Sequence, residues 1–426
     1  MRLSKAAILT SKERLNSDEM LSQQILFQGG LLKRYGAGIY GKHNLIVRAQ
    51  ANIEAVIRNI LDKHDCIEVS LPLLQPKSIW EASGRWEAYH SSGQMFYCDM
   101  PNGSFCMAPT AEEAVFEFVR DNLKSYKDLP VNVYQIGNKF RNELRARGGL
   151  LRSKEFTMMD AYSFHASEED LEHGYSIMKK AYLEIFDTLG LKVIPVSALN
   201  GDMGGKISEE FMFLSESGED TILVNENETM AFNTEILEMD NYSDYLKQYY
   251  GIDDISTFTE RHCIELGHIF QLGQKYSTTM KGTFKSNTNE DIPFFMGCYG
   301  IGVSRTLAAI CEQNCTNEGL IWPDNISPYQ LTIIYTHQKR EIAFELYDCL
   351  QSKGIKVIID DRYSLRLGSK IKDWKLLGIP YMVVIGDKCS GEAFELETRR
   401  DGSKKLLAKN DLINYLGKSS SAYIGT

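Results

Sequence analysis

The stretch FRNELRARGGLLR, Phe140–Arg152, places four arginines and one glutamate around two adjacent glycines. The chain as a whole has a formal net charge of −10, so this local excess of positive charge needs an explanation. The flanking segments VNVYQIGNKFR (131–141) and EFTMMDAYSFH (155–165) alternate between apolar and polar residues, as half-buried strands do. The sequence therefore predicts a hairpin whose loop carries the arginines, with Arg141 and Glu143 on one strand face.

The arginine-rich loop has two interpretations when its residues are considered alone. It is either a solvated basic turn or an anion-binding site. Arginine presents a planar fork that matches phosphate and carboxylate oxygens, and glycines let a backbone approach a ligand closely. In the second interpretation, Glu143 is available for an amine or a metal ion.

Two further segments could contribute chemistry. In APTAEEAVFEF (108–118), Thr110 is expected to cap a helix that has two glutamates in its first turn. The segment 293–314 predicts a strand, a glycine-rich turn and a helix with Arg305 near its start. Taken singly, a capped helix and an exposed arginine explain these features equally well.

The remaining organisation predicts an α+β protein with two domains, residues 1–326 and 327–426. Helical spacing over Asn44–Lys63 is followed by a short extended run that ends at Pro72. The segment WPDNISP (322–328) has two prolines and is expected to be a linker. Beyond it, strands alternate with helices, which predicts a compact α/β domain with a mixed sheet.

Composition excludes several classes of protein. The 426 residues exceed what one ordinary core accommodates, and no apolar run approaches the roughly 20 residues of a membrane helix. The apolar segment at the start is too short for a secretory signal, so a cytoplasmic protein is expected. The nine cysteines include no CxxC pair, which predicts reduced thiols, no zinc and no structural metal site.

Taken together, the segments resemble the three motifs of the class II aminoacyl-tRNA synthetases, and in detail the bacterial-type prolyl-tRNA synthetases. The motifs correspond to residues 44–86, 131–165 and 293–314, and the similar stretches include FCMAPTAEE (105–113), ELGHIFQLGQKYS (265–277), MGCYGIGVSR (296–305) and DDRYSLRLGSKIKDWKLLGIP (360–380). The resemblance implies a catalytic domain on an antiparallel β-sheet with flanking helices, followed by an α/β anticodon-binding domain. It also implies a homodimer whose interface uses the first motif.

The implied reaction joins L-proline to tRNA(Pro) through prolyl-adenylate, with ATP and Mg²⁺ and with release of pyrophosphate. Arg141 and Arg305 are the catalytic arginines that the motif match implies. The implied ATP-binding residues are Arg141, Glu143, Arg152, Phe156, Gln271 and Arg305. The implied proline-binding residues are Thr110, Glu112, Arg141, Met158, Asp160, Tyr162, His268 and Cys298.

The resemblance also implies two contacts with tRNA. Arg145 and Arg147, toward the loop tip, are expected to meet the acceptor end. Asp361, Arg362 and Lys370 match the anticodon reader, where basic side chains suit guanine edges in an unpaired loop.

One departure from the family concerns editing. Many bacterial relatives carry a large editing insertion between the second and third motifs, whereas only the residues near 237–261 could fill that place here. Such a short stretch is too small for a folded domain. We therefore expect a short form without editing in cis, for which a separate deacylase that edits in trans is a possible partner.

Two alternatives to this family assignment remain. A synthetase for another amino acid, such as threonine, would hold a zinc ion with Cys and His ligands in its pocket, and the matching positions are not so equipped. A non-catalytic paralogue that only binds RNA or a partner would lack the ATP-binding arginines, all of which are present.

Overall fold

The computed structural model describes residues 1–11, 13, 19–198 and 207–421. The chain divides into two compact units. The hairpin unit comprises residues Ile60–Arg145 and Ser153–Thr306, and the terminal unit comprises Met1–Asn59, Ala146–Arg152 and Leu307–Thr426. The domain boundary expected at residue 326 stays a prediction.

The helices and strands follow in chain order. The helices are α1 Leu21–Gln28, α2 Asn44–Lys63, α3 Lys77–Ser83, α4 Trp86–Ser91, α5 Glu112–Val119, α6 Glu168–Thr188, α7 Tyr242–Tyr250, α8 Lys275–Thr279, α9 Val303–Gln313, α10 Arg340–Ser352, α11 Leu367–Leu377 and α12 Lys409–Ser421. The strands of the first half are β1 Leu32–Gly36, β2 Ile39–Lys42, β3 Ile67–Glu68, β4 Leu74–Pro76, β5 Phe96–Met100, β6 Gly103–Met107, β7 Val131–Phe140, β8 Glu155–His165, β9 Val193–Ser197 and β10 Ile207–Leu214. Those of the second half are β11 Asp220–Val224, β12 Ala231–Asn233, β13 Thr259–Gly273, β14 Thr283–Lys285, β15 Asp291–Pro293, β16 Phe295–Ile301, β17 Cys315–Thr316, β18 Gly319–Leu320, β19 Leu331–Tyr335, β20 Val357–Asp360, β21 Tyr381–Ile385, β22 Ala393–Thr398 and β23 Lys404–Ala408.

The hairpin unit is built on one large sheet. Its strands run in the order β12-β11-β13-β16-β8-β7-β3, with β10 pairing with both β13 and β9. All these pairs are antiparallel except β3 with β7. The predicted hairpin is confirmed as β7 and β8, with Phe140 opposite Glu155. Because β7 ends at Phe140, Arg141 and Glu143 lie beyond the strand, so their expected shared strand face is wrong.

Helix α6 covers one face of this sheet. It begins after Ser167, whose side chain accepts a hydrogen bond from the Asp170 N–H, and three acidic residues occupy its first turn. It packs against β8, β13 and β16. Residues of β8 alternate between this covered face and the opposite one. The opposite face packs in part against α5 and α8, whose Phe116 and Tyr276 share a buried cluster with Tyr162 and Cys298.

The terminal unit contains a mixed sheet in the order β20-β19-β21-β22-β23. Strand β19 is parallel to β20 and β21, whereas β22 pairs antiparallel with β21 and β23. The expected α/β domain with a mixed sheet is confirmed. Helix α11 of this unit begins at Leu367. Gly148 and Gly149 both adopt left-handed φ values, 63° and 60°, which allow the tight bend of the arginine-rich segment.

A short connection fills the place of the editing insertion. Between β12 and β13 the chain forms a 3-10 turn at Thr234–Glu238 and the helix α7. Phe232, Ile236, Leu246 and Ile252 form a small buried cluster there. Within the described ranges, no helix combines the length and the apolar character that crossing a membrane requires.

Candidate active site

The face of the large sheet opposite α6 collects most of the expected pocket. On β8, Met158, Asp160 and Tyr162 occupy alternate positions and so share a face. Tyr162 lies opposite Cys298 of β16, and Cys298 lies opposite Phe270 of β13. The rings of His268 and Phe270 stack at 3.9 Å. The expected proline pocket residues on strands thus belong to one continuous surface.

Gln271 is separated from this set. It lies opposite Gly297, one residue out of step with Phe270 and Cys298. A Cβ at Gly297 would meet the hydroxyl of Tyr299, which packs near Tyr175 of α6. Strand alternation therefore directs Gln271 to the face that α6 covers. Its assignment to the ATP site stays a prediction and lacks support from this geometry.

The loop before α5 brings a buried carboxylate to the pocket. The N-cap of α5 is Ala111, without a side-chain capping bond, so the expected capping by Thr110 is wrong. The Thr110 hydroxyl donates instead to Glu112 Oε2 at 2.7 Å. Cys298 Sγ lies 3.2 Å from Glu112 Oε1, and the Ala111 N–H donates to the Tyr162 hydroxyl at 3.1 Å. These bonds join the loop to the pocket strands.

Arg85 is a site residue that sequence reasoning missed. Its guanidinium donates to Glu112 at 3.0 Å and to Glu113 at 3.1 Å, and all three side chains are buried. Burial alone would raise the pKa of Glu112, but the charge of Arg85 and the hydrogen bonds from Thr110 and Arg85 hold it below its usual value. Burial raises the pKa of Glu113. Arg85 and Thr110 thus favour the ionised form of Glu112, the acid that faces Cys298.

Asp160 is held by donors from the chain itself. Lys139 Nζ forms an ion pair with Asp160 Oδ1 at 2.6 Å, and Gln135 and Tyr162 donate to Oδ2 at 2.9 and 2.8 Å. The Lys139 side chain is fully buried. This network fixes the Tyr162 hydroxyl and, through it, the Ala111 N–H. The one sequence signal for Lys139 was a lysine inside a strand pattern, which by itself names no partner.

Arg141 lies just after β7, beside the loop that carries Thr110. Its Nε donates to the Pro109 carbonyl at 3.1 Å, and its guanidinium lies 5.4 Å from the centroid of the Phe156 ring. The Glu143 N–H donates to the Arg141 carbonyl at 2.8 Å. Arginine, aromatic ring and buried Glu112 therefore come from neighbouring segments of the hairpin unit.

Arg305 meets a second group of acids. It donates to the Glu265 carboxylate and to the Glu265 carbonyl, both at 2.8 Å. His268 Nδ1 lies 3.4 Å from Glu265 and 3.6 Å from Glu210. Burial and the charge of Glu265 raise the pKa of Glu210, whereas His268 and Arg305 outweigh burial and lower the pKa of Glu265.

The same group offers donors for a cation. Ligand atoms of Glu210, Glu265 and His268 all lie within 4.8 Å of one another. Among the described residues, Oε2 of Glu210 is buried without a hydrogen-bond partner. Sequence reasoning did not select either glutamate, because neither belongs to a recognisable ligand spacing.

The other arginines of the Phe140–Arg152 stretch have different surroundings. Arg152 belongs to the terminal unit, where it forms an isolated bridge with Arg147. Arg145 and Arg147 are exposed, as a contact with RNA would require. The roles of these three residues stay predictions.

The expected anticodon residues take part in contacts within the terminal unit. Asp361 is buried and accepts hydrogen bonds from Arg2 at 2.6 Å and from the Ser4 hydroxyl at 2.7 Å. Arg362 pairs with Asp360 at 2.6 Å, and Lys370 Nζ donates to the Asp360 carbonyl at 2.9 Å. Their assignment to the anticodon stays a prediction.

Comparison with known protein families separates the two parts of the chain. Residues 96–314 match the family described as tRNA synthetase class II core domain (G, H, P, S and T). Residues 330–419 match the family described as Anticodon binding domain.

Curated relatives match over nearly the whole length. The proline–tRNA ligase of Sulfurimonas denitrificans is 38% identical over 439 residues, covering 98% of this chain and 100% of the relative. That of Rickettsia typhi is 34% identical over 428 residues, with 98% and 100% covered. The proline–tRNA ligase of Staphylococcus saprophyticus is 32% identical over 562 residues, with 98% and 99% covered. Since the chain has 426 residues, a long stretch of the last relative has no counterpart here, and the short form without a large insertion is confirmed.

Solved structures share the fold. The prolyl-tRNA synthetase from Giardia lamblia in complex with prolyl-adenylate has a TM-score of 0.75 and 20% identity, covering 95% of this chain and 78% of that one. The enzyme from Cryptosporidium parvum complexed with L-proline and AMP has a TM-score of 0.72 and 16% identity, with 94% and 76% covered. The fold, the two family matches and the full-length relatives agree with one another, and the chain belongs to the proline–tRNA ligase family of class II aminoacyl-tRNA synthetases.

Proposed function

We propose that the chain activates L-proline with ATP to prolyl-adenylate and pyrophosphate, and then transfers proline to the 3′ end of tRNA(Pro). The observation that carries this proposal is the buried Glu112, which Arg85 and Thr110 hold in its ionised form beside Cys298. A buried carboxylate suits a substrate ammonium that must leave water, because an unpaired charge is costly there.

In this proposal the two ends of proline bind to different groups. The ammonium binds Glu112 and Thr110, and the ring lies against the walls formed by Met158, Tyr162, His268 and Cys298, with Asp160 fixing Tyr162. Arg141 binds the proline carboxylate and the α-phosphate. A carboxylate oxygen forms a bond to the α-phosphorus, the bond from that phosphorus to the bridging oxygen breaks, and pyrophosphate leaves. The fixed charge of Arg141 stabilises the negative charge that develops, and holding both reactants aligned lowers the entropic cost.

The remaining ATP contacts follow the family pattern. Phe156 stacks on the adenine, Glu143 accepts from the adenine amino group, and Arg305 binds the far end of the phosphate chain. Mg²⁺ would be held by the carboxylates of Glu210 and Glu265, where hard oxygen donors and the unpartnered Glu210 Oε2 suit it. When bound, the ion neutralises phosphate charge.

We further propose a cytoplasmic homodimer with a catalytic domain at 1–326 and an anticodon-binding domain at 327–426. Arg145 and Arg147 would contact the tRNA acceptor end, and the segment that carries Arg362 and Lys370 would contact the anticodon, with the buried Asp361 holding that segment in place. The exposure of Arg145 and Arg147 supports the first assignment.

An enzyme of this kind without an editing domain is expected to discriminate poorly between proline and alanine. Alanine is smaller than proline, and one missing methylene changes binding by only about 1–3 kcal/mol. Without an editing domain in cis, we expect some alanyl-tRNA(Pro) to form and to be hydrolysed by a separate deacylase in trans. Rapid deacylation of preformed alanyl-tRNA(Pro) by the purified enzyme alone would contradict this expectation.

The decisive experiment is ATP–pyrophosphate exchange with each of the twenty amino acids. We expect proline to have the highest kcat/KM. A higher value for threonine or another amino acid would refute the proposed specificity, and no exchange with any amino acid would favour a non-catalytic paralogue.

A further inference from the structure

Arg85 is enclosed by two acids and three aromatic rings. Its side chain is 6% exposed, and besides Glu112 and Glu113 it donates to the Tyr89 hydroxyl at 2.7 Å. The centroids of the Trp80, Tyr89 and Tyr276 rings lie 4.8–5.3 Å from its guanidinium carbon. Such an enclosure fixes both the position and the orientation of the guanidinium, which stays charged at every physiological pH.

The two oxygens of Glu112 have different surroundings. Arg85 and Thr110 both donate to Oε2, at 3.0 and 2.7 Å. Oε1 lies 3.2 Å from the thiol of Cys298, which is a weak donor. The two side-chain donors Arg85 and Thr110 thus converge on one oxygen, and the other faces the weak thiol donor with capacity for a stronger one.

We propose that Arg85 is the positioning residue for amine recognition, which keeps Glu112 ionised and turned so that Oε1 accepts the ammonium of the substrate. This inference rests on the proposed function, in which the proline ammonium binds Glu112. Without a nearby cation, a carboxyl group at this depth would hold its proton and would no longer attract a cation.

Glu113 is the second acid that binds Arg85. It accepts from Arg85 at 3.1 Å and from the Ser83 hydroxyl at 2.7 Å. Because Nη1 of Arg85 donates to both acids, a change in the orientation of the guanidinium would break both bonds. The pKa of Glu112 is lowered by Arg85 and Thr110, whereas burial raises the pKa of Glu113, so ionisation is favoured more strongly at the acid that faces Cys298.

The test compares two ligands that differ in the amine. L-Proline carries the ammonium, whereas tetrahydrofuran-2-carboxylate has the same ring size and carboxylate with an oxygen in its place. In ATP–pyrophosphate exchange, the KM for proline and the Ki of the analogue give a preference ratio. Arg85→Met should raise the proline KM roughly 10- to 150-fold, as expected for losing a hydrogen bond to a charged group. The Ki of the analogue and the KM for ATP should change by no more than about twofold, since neither ligand uses the charge of Glu112.

Companion variants separate positioning from folding. Arg85→Met leaves two buried acids without their cation and is expected to be destabilising. The double variant Arg85→Met/Glu113→Gln removes one acid as well and should recover thermal stability without recovering the proline KM. Arg85→Lys keeps the charge and should lie between wild type and Arg85→Met. Ser83→Ala, which touches Glu113 and not Glu112, should leave the preference ratio unchanged.

The outcomes distinguish the inference from the function on which it rests. If wild type activates proline best and Arg85→Met weakens proline and the analogue equally, Arg85 is only structural and the inference is overturned. Recovery of the proline KM in the double variant would overturn it as well. If wild type does not prefer proline, the proposed function fails first, and the inference falls with it.

Discussion

The site around Glu112 and the site around Asp361 each pair a buried carboxylate with an arginine. The two carboxylates differ in how many of their oxygens the chain itself engages. At Glu112, the side chains of Arg85 and Thr110 donate to Oε2, and Oε1 faces a thiol. At Asp361, the Ser4 N–H donates to Oδ1 at 2.8 Å, while Arg2 and the Ser4 hydroxyl donate to Oδ2. The first acid retains a strong acceptor for a ligand, whereas the second binds the first residues of the chain to the strand end at Asp361 within the terminal unit.

This difference matters because both acids were selected on the same ground, similarity to a family motif. A buried acid with an open acceptor is expected to control substrate binding and to affect stability less than binding. An acid whose acceptors are all engaged within the fold is expected to control stability. Substitutions in the two regions should therefore separate effects on catalysis from effects on folding.

The largest effect is expected at Arg141, in the region that faces the substrates. Arg141→Ala removes a fixed positive charge from the developing negative charge at phosphorus, which should cost about 2.7–4 kcal/mol, a roughly 100- to 1000-fold loss of kcat in proline-dependent exchange. Thermal stability should change little, because the side chain is half-buried and the backbone hydrogen bonds of this position would remain. The change removes the side-chain hydrogen bond from Nε to the Pro109 carbonyl.

Arg399→Ala is the matched control, since Arg399 is buried in the terminal unit and donates to the Lys375 carbonyl at 3.3 Å. It should lower stability and leave exchange unchanged. A loss below tenfold in Arg141→Ala would contradict the assignment of Arg141 to the transition state.

The sequence predicted local structure better than it predicted partners. The hairpin of β7 and β8 followed from alternation within each strand, and α2 followed from helical spacing, because both patterns are written in neighbouring residues. The pairing of Arg85 with Glu112 joins residues 27 positions apart, and that of Arg2 with Asp361 joins residues 359 apart. No local pattern encodes such contacts. The motif therefore could not show that Glu112 retains an acceptor for a ligand whereas the oxygens of Asp361 are engaged within the fold.

The second prediction concerns the engaged acid. Asp361→Asn keeps the shape of the side chain but removes its charge, and should lower the free energy of unfolding by about 1–3 kcal/mol in urea denaturation at neutral pH. Proline-dependent exchange should remain within about twofold of wild type, since that reaction needs no tRNA. Asp121→Asn, at an exposed acid, should leave stability unchanged.

The same variant has a pH signature. Burial alone would raise the pKa of Asp361, but the hydrogen bonds from Ser4 and Arg2 outweigh it and hold the pKa below its usual value. The stabilisation by Asp361 is therefore complete above about pH 4, the usual pKa of an aspartate, and is lost as pH falls through the lower folded pKa. The difference in stability between wild type and Asp361→Asn should shrink over that acidic range. A difference that stays constant across it would show that the charge is not what stabilises the contact.

The smallest effect is expected at Arg145 and Arg147, which are exposed and are assigned to neither ATP nor proline. Arg145→Ala and Arg147→Ala should each raise the KM for tRNA(Pro) a few-fold and leave exchange unchanged, because a single phosphate contact contributes modestly to affinity. The plot of log affinity against log salt should become shallower by about one unit for each arginine that is replaced. If Arg145→Ala or Arg147→Ala weakens exchange as well, the division between substrate-facing and tRNA-facing arginines is drawn at the wrong residue. Measuring tRNA binding by Arg141→Ala closes the comparison, since that variant should keep the wild-type salt dependence while losing catalysis.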